Sequence, residues 1–197
     1  MFGFFKKKPE LVCKDYIWKN ENTKYNALMK HLQQCEKSVL VYYFEDTRAE
    51  AEEHLNTAHL NFSTESHTFA GKVWLLSANN LLHLSALENR SVFFAEHHPS
   101  YSHEQSIKTH LLNNLAVREL IFYTSFEDKL LQMFGSERIL QLMEKMGMKD
   151  DESIQHSMIS TSLERAQQRI DEKIGMYSDT RMRKDWFKVN LVDIETL

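Results

Sequence analysis

Proline and glycine are scarce in this sequence, 2 and 5 residues among 197. With so few chain breakers, and with 42% apolar, 11% aromatic and 26% charged residues, collagen-like, linker-like and disordered classes are excluded. The length suits one domain with appendages and is short for two. Cysteine is nearly absent: Cys13 and Cys35 lack the CxxC spacing of a zinc site or a redox dithiol, so both are expected to be reduced thiols. No apolar run approaches the roughly 20 residues that cross a bilayer. The opening MFGFFKKK has neither the apolar core nor the small-residue cleavage site of a secretory signal, so a cytoplasmic location is expected. The net charge of −4 is dispersed with no basic block, which argues against a nucleic-acid partner.

What is present is an alternation of helical and extended patterns. In TKYNALMKHLQQCEK, Tyr25, Leu28, Met29 and Leu32 fall on one helical stripe. SVLVYYF, from Ser38 to Phe44, is a run of β-formers of the kind covered on both faces of a parallel sheet. Thr47 with Glu50 reads as a capping box that starts the next helix. KVWLLSA, SVFFAE and ELIFYT are further strands, and SHEQSIKTHLLNN is a helix between the last two. The order predicts an α/β domain with a mostly parallel sheet, whose binding loops would follow the strand ends at Glu45 and Asp46, Ser77 to Asn80, Glu96 to Ser102, and Ser125. From Phe126 onward the pattern is helical: FEDKLLQMF, SERILQLMEKM, and a longer helix from about Glu152 to Lys173, punctuated by Gly135 and Gly147.

Between Phe122 and Arg169, FYTSFEDKLLQMFGSERILQLMEKMGM and then IQHSMISTSLERAQQRI resemble the preprotein translocase motor SecA nearly position by position. KDYIWKNENTKYNALMKHLQQCEKSVLV is similar to that family's entry into its second RecA-like domain, and KVWLLSANN to the strand feeding its fifth helicase motif. The resemblance implies a RecA-like α/β fold with an all-helical C-terminal extension. It divides the chain into a basic N-terminal segment (1–14), a degenerate RecA-like domain (15–125), a SecA-like helical extension (126–175) and a C-terminal tail (176–197). No counterpart of the family's first motor domain, with its phosphate-cradling glycine loop, occurs in the sequence.

The departures from the family bear on activity. Its last helicase motif is rich in arginine and glycine, and the arginines stabilise charge developing on phosphate. A gapless alignment places Ser106, Lys108, His110, Leu112 and Asn113 at key positions of that motif. Lysine can supply charge but lacks the bidentate fork of arginine. The family's G-R-G-T-D signature is replaced by LLHLSA. The expectation is lost hydrolysis, no cofactor and no catalytic residue, with Glu96, His98, Lys108, His110 and Asn113 as the remnant of a nucleotide site. The resemblance then implies a non-enzymatic interaction module that seeks a protein partner, either Sec machinery or a second copy. The alternative is a nucleotide-dependent subunit that borrows a first motor domain, with Lys108 as a substitute finger.

Other clusters are read more plainly. EHHPSYSHE gathers Glu96, His97, His98 and His103 at a strand end, but adjacent histidines on an extended segment point to opposite sides, so no metal site is expected. Ser125 reads as an N-cap with Glu127 and Asp128 in the first helical turn. Phe2, Phe4 and Phe5 with Lys6, Lys7 and Lys8 offer a weak contact to an anionic membrane surface. The methionines of the helical tail, Met133 to Met158, read as core packing between helices.

Overall fold

A computed structural model describes residues 10–64, 71–133, 141, 145, 147–149 and 151–191. The N-terminal Phe and Lys residues and most of the expected helix SERILQLMEKM lie outside the described residues.

Six strands form one sheet: β1 (Val12–Trp18), β2 (Ser38–Tyr42), β3 (Phe62–Ser63), β4 (Val73–Ser77), β5 (Ser91–Phe94) and β6 (Glu119–Ser125). Their order is β1-β6-β5-β2-β4-β3, and every pairing is parallel. The expected α/β arrangement with a parallel sheet therefore holds. Side chains alternate across the central strands, so Leu40 and Tyr42 face one core while Val39 and Val41 face the other. The first core is covered by α1 (Glu21–Gln34), through the stripe Tyr25, Leu28, Met29 and Leu32, and by α2 (Glu45–Thr57), through Ala51 and Leu55. The second is covered by the short α3 (Ala78–Leu81) and by α4 (Tyr101–Asn114), through Ile107 and Leu111.

Because α2 leaves β2 for one face and α4 leaves β5 for the other, a crevice opens between these adjacent strands at their carboxyl ends. This is where open α/β sheets seat ligands. Here it is covered by α5 (Lys129–Gln132), α6 (Ser157–Lys173) and α7 (Arg183–Asn190). Trp186 and Phe187 of α7 and Ile170 of α6 pack with Ile17, Phe44 and Phe126 in a third apolar cluster. The segment 176–191 is thus packed on the sheet domain rather than trailing from it.

Several local expectations are corrected. β1 adds a strand that was not among those expected; it carries no continuous apolar run, and its first three residues are exposed, as suits an edge strand. α2 starts at Glu45, with the backbone turning at Phe44, and Thr47 lies buried inside the helix instead of capping it. Ser125 ends β6; its hydroxyl accepts from Glu127 N at 3.1 Å, while Asp128 caps α5 by accepting from Leu130 N at 2.8 Å. The long helix begins at Ser157, because His156 before it is extended and Ile154 bridges Ile17 on the outer edge of β1. Both cysteines are free thiols. Among the described residues no helix is long and apolar enough to cross a membrane.

Candidate functional site at the carboxyl end of the sheet

β5 runs out into Ala95, Glu96, His97 and His98, and all four are buried. Successive residues of this extended exit point apart, and each finds a different environment. Glu96 turns into the crevice, where Oε1 accepts from the backbone N–H groups of Tyr43 (2.8 Å) and Phe44 (3.0 Å), which follow β2. Oε2 accepts from the Thr47 hydroxyl at 2.8 Å and pairs with Arg183 Nη2 at 2.9 Å. Burial raises the Glu96 pKa, opposed by the guanidinium and these donors.

Arg183, the first residue of α7, fills the crevice. Its Nη1 donates to Asp128 Oδ2 at 3.0 Å, its Nη2 also donates to the Thr47 hydroxyl, and its backbone N–H reaches the Asp46 carboxylate. Burial alone would lower its pKa, but the carboxylates of Glu96, Asp128, Glu21 and Asp46 raise it above the ordinary arginine value. Beside it, Lys24 of α1 is 1% exposed, donates to Ala95 O at 3.1 Å and pairs with Glu21. Glu21 in turn accepts from the Ser125 hydroxyl at 2.6 Å.

His97 faces the other way, over the second core. Its ring stacks on Phe122, with centroids 4.3 Å apart and planes 7° off parallel. Nδ1 lies 3.1 Å from Glu104 Oε2, and Nε2 is within ion-pairing distance of Asp15 Oδ1 at 3.4 Å. Burial would lower its pKa, yet Glu104 and Asp15 outweigh it and hold His97 up at about 9. Glu104, although buried, is held well below the usual carboxylate range by His97 and Lys108. Lys108 Nζ pairs with Glu104 Oε1 at 2.7 Å and sits 4.8 Å from the Phe122 ring centroid. Gln167 of α6 closes the network, donating to His98 O at 2.7 Å and to Glu104 Oε2 at 3.1 Å.

His98 is apolar in role. Burial pushes its pKa down to about 3, so the ring is neutral. Its Nδ1 accepts from Ser100 N at 3.0 Å, while the ring stacks on Phe44 and His103 and meets Trp186 edge-on.

The structure brings Glu96, His98 and Lys108 into one buried layer at the strand ends, though each has its own partners. His110 and Asn113 are not in it. Both lie further along α4 than Lys108, which joins the layer because its long side chain reaches back one turn to Glu104. Asn113 is exposed there. The residues that complete the layer, Arg183, Asp128, Thr47, Glu104, His97, Asp15 and Gln167, were not singled out together from sequence. Only the Glu104 and Lys108 pair, four apart on one helix face, carried a readable signal. Chemically, a crevice lined by Glu21, Asp46, Glu96 and Asp128 is a receptor for a guanidinium, and it repels phosphate.

In fold this is an α/β domain with an all-parallel sheet and helices closing the carboxyl end of that sheet. Comparison with curated proteins adds a SecA-like segment: 51 residues are 59% identical to the protein translocase subunit SecA of Christiangramia forsetii, covering 26% of this chain and 5% of that protein. The same length is 55% identical to SecA of Cytophaga hutchinsonii, and 55 residues are 46% identical to SecA of Chlorobium phaeobacteroides, 28% of this chain and 5% of the relative. The matched part thus spans about one twentieth of these relatives. No family model matches the chain. Among solved structures, the C-terminal part of the Fun30 ATPase domain aligns over 76% of this chain and 54% of that one, at 16% identity and a TM-score of 0.42.

Proposed function

We propose that this chain is a non-catalytic, SecA-like interaction module of the cytoplasm that acts as an accessory or regulator of protein translocation. The observation that carries the reading is the occupied crevice. Arg183 and the helix behind it fill the ligand position of the sheet, and four carboxylates surround the guanidinium where a nucleotide site would need positive charge. The SecA-like segment supports the link to translocation, and the eroded motif supports the loss of hydrolysis.

The second reading, a nucleotide-dependent subunit acting in trans, needs Lys108 to reach a phosphate. Lys108 is 7% exposed and bound to Glu104, so reaching outward would break a buried pair. The test combines purified chain, full-length SecA and ATP. Co-purification with SecA, unchanged hydrolysis and no binding of a fluorescent ATP analogue to the chain are the expected results. Hydrolysis that rises with the chain and falls back with Lys108→Ala would favour the second reading, and failure to recover any translocation component would sink the first.

A further inference from the structure

A separate cavity of about 380 Å³ lies on the α1 face of the sheet, near the β1 edge and away from the Arg183 crevice. Its floor is an aromatic ladder. Tyr16 and Tyr123 stack with centroids 5.5 Å apart and planes 17° off parallel, and Trp18 continues the stack on Tyr123 at 6.5 Å and 11°. Cross-strand aromatic pairs commonly stabilise sheets. This one, however, is left lining an open volume of the size that takes small ligands.

Two features define what would fit. The three rings give the cavity an aromatic lining that suits a planar apolar ring. The wall supplied by α1 is rich in donors, with Asn26, Lys30 and Gln34, and Lys30 is exposed at the rim with its charge available. Trp18, 9% exposed, also lines the cavity, with its indole N–H buried behind the surface, so its signal reports on the wall without bonding the ligand. His31 also lines the cavity; its Nδ1 lies 2.7 Å from the Tyr123 hydroxyl, and burial lowers its pKa, so it adds no cation. Asp151 is the one carboxylate among the described lining residues, and it disfavours a second negative charge on the ligand.

We infer that this cavity is a binding site for a small, flat aromatic acid, its ring stacked on the Tyr16–Tyr123–Trp18 ladder and its carboxylate toward Lys30. The assignment is independent of the translocation reading. The test uses the full chain and 2-naphthoate, followed in ¹H–¹⁵N spectra, with the Trp18 indole signal assigned by its loss in Trp18→Phe. Saturable movement of that signal is expected. Lys30→Ala should weaken binding by about three- to tenfold through loss of a charge-assisted contact. Tyr16→Leu, which keeps apolar volume but removes the stacked ring, should weaken it at least as much, and cyclohexanecarboxylate should bind less well than 2-naphthoate. An unmoved Trp18 signal overturns the assignment. So does equal binding by the wild type and both variants, or by the aliphatic acid.

Discussion

Replacing Arg183 by alanine tests the crevice most directly. In the native fold the guanidinium pairs with Glu96 at 2.9 Å and Asp128 at 3.0 Å, and the Glu96 side chain has no exposure. Removing it leaves a carboxylate buried with only the Thr47 hydroxyl and two backbone N–H groups for company. Breaking a buried pair by deleting one partner costs about 3–5 kcal/mol. Domains of ordinary stability hold about 5–15 kcal/mol in total, so this loss is about a fifth of the whole at the least. In urea denaturation, with a slope of about 2 kcal/mol per molar, the midpoint should fall by about 2 M. Arg183→Lys keeps charge without the fork and should lie between wild type and alanine. Adding Glu96→Gln to Arg183→Ala removes the stranded charge while keeping acceptors for the Tyr43 and Phe44 N–H groups, and should recover about half of the loss. A single-variant cost below about 1 kcal/mol, or a double variant no more stable than the single, would mean that water already reaches the carboxylates.

Three more outcomes follow from the same layer. His97 is held at about 9, above its ordinary 6.5, so the stabilisation from its charge is complete below pH 6.5 and is lost as pH rises through about 9. The difference corresponds to about 3 kcal/mol, and denaturation curves from pH 6 to 10 should show the decline in wild type and a flatter profile in His97→Gln. Glu104 is depressed, so its contribution is present above the ordinary carboxylate value and is lost as pH falls through its folded pKa; Glu104→Gln should be the less acid-sensitive chain. Trp186→Ala, at a site with no exposure between α7 and the sheet, should cost about 3–5 kcal/mol and raise dye binding to the exposed third cluster.

How much of this was legible depended on whether the signal was local. β2, β4, β5 and β6 are buried on both faces, so their composition alone announces them, and the α1 stripe of Tyr25, Leu28, Met29 and Leu32 is the face that packs. β1 escaped because an edge strand can keep Lys14 and Asp15 in its middle, and no uninterrupted apolar run results. α7 escaped because RKDWFKVN is short and charged and has no side-chain cap; its hold on the fold comes from Trp186 and Phe187 packing on distant elements. Thr47 and Ser125 have the residue types of caps, but each hydroxyl is taken by a remote carboxylate, Glu96 and Glu21 respectively, which no local window contains.

The same distinction governs the site. Reading α4 alone, a guanidinium has been lost: Lys108, His110 and Asn113 stand where the resemblance to SecA implies arginines. In the folded chain a guanidinium occupies the crevice after all, but it comes from Arg183 on the last described helix and is aimed at Glu96 and Asp128 rather than outward. Lys108, the nearest substitute on α4, is committed to Glu104. Both cations are therefore ion-paired within the molecule, and a phosphate entering the crevice would have to displace Arg183 and face the carboxylates it neutralises. The motif on α4 alone could not reveal this, because whether a crevice is acidic or basic is decided by every element that closes it.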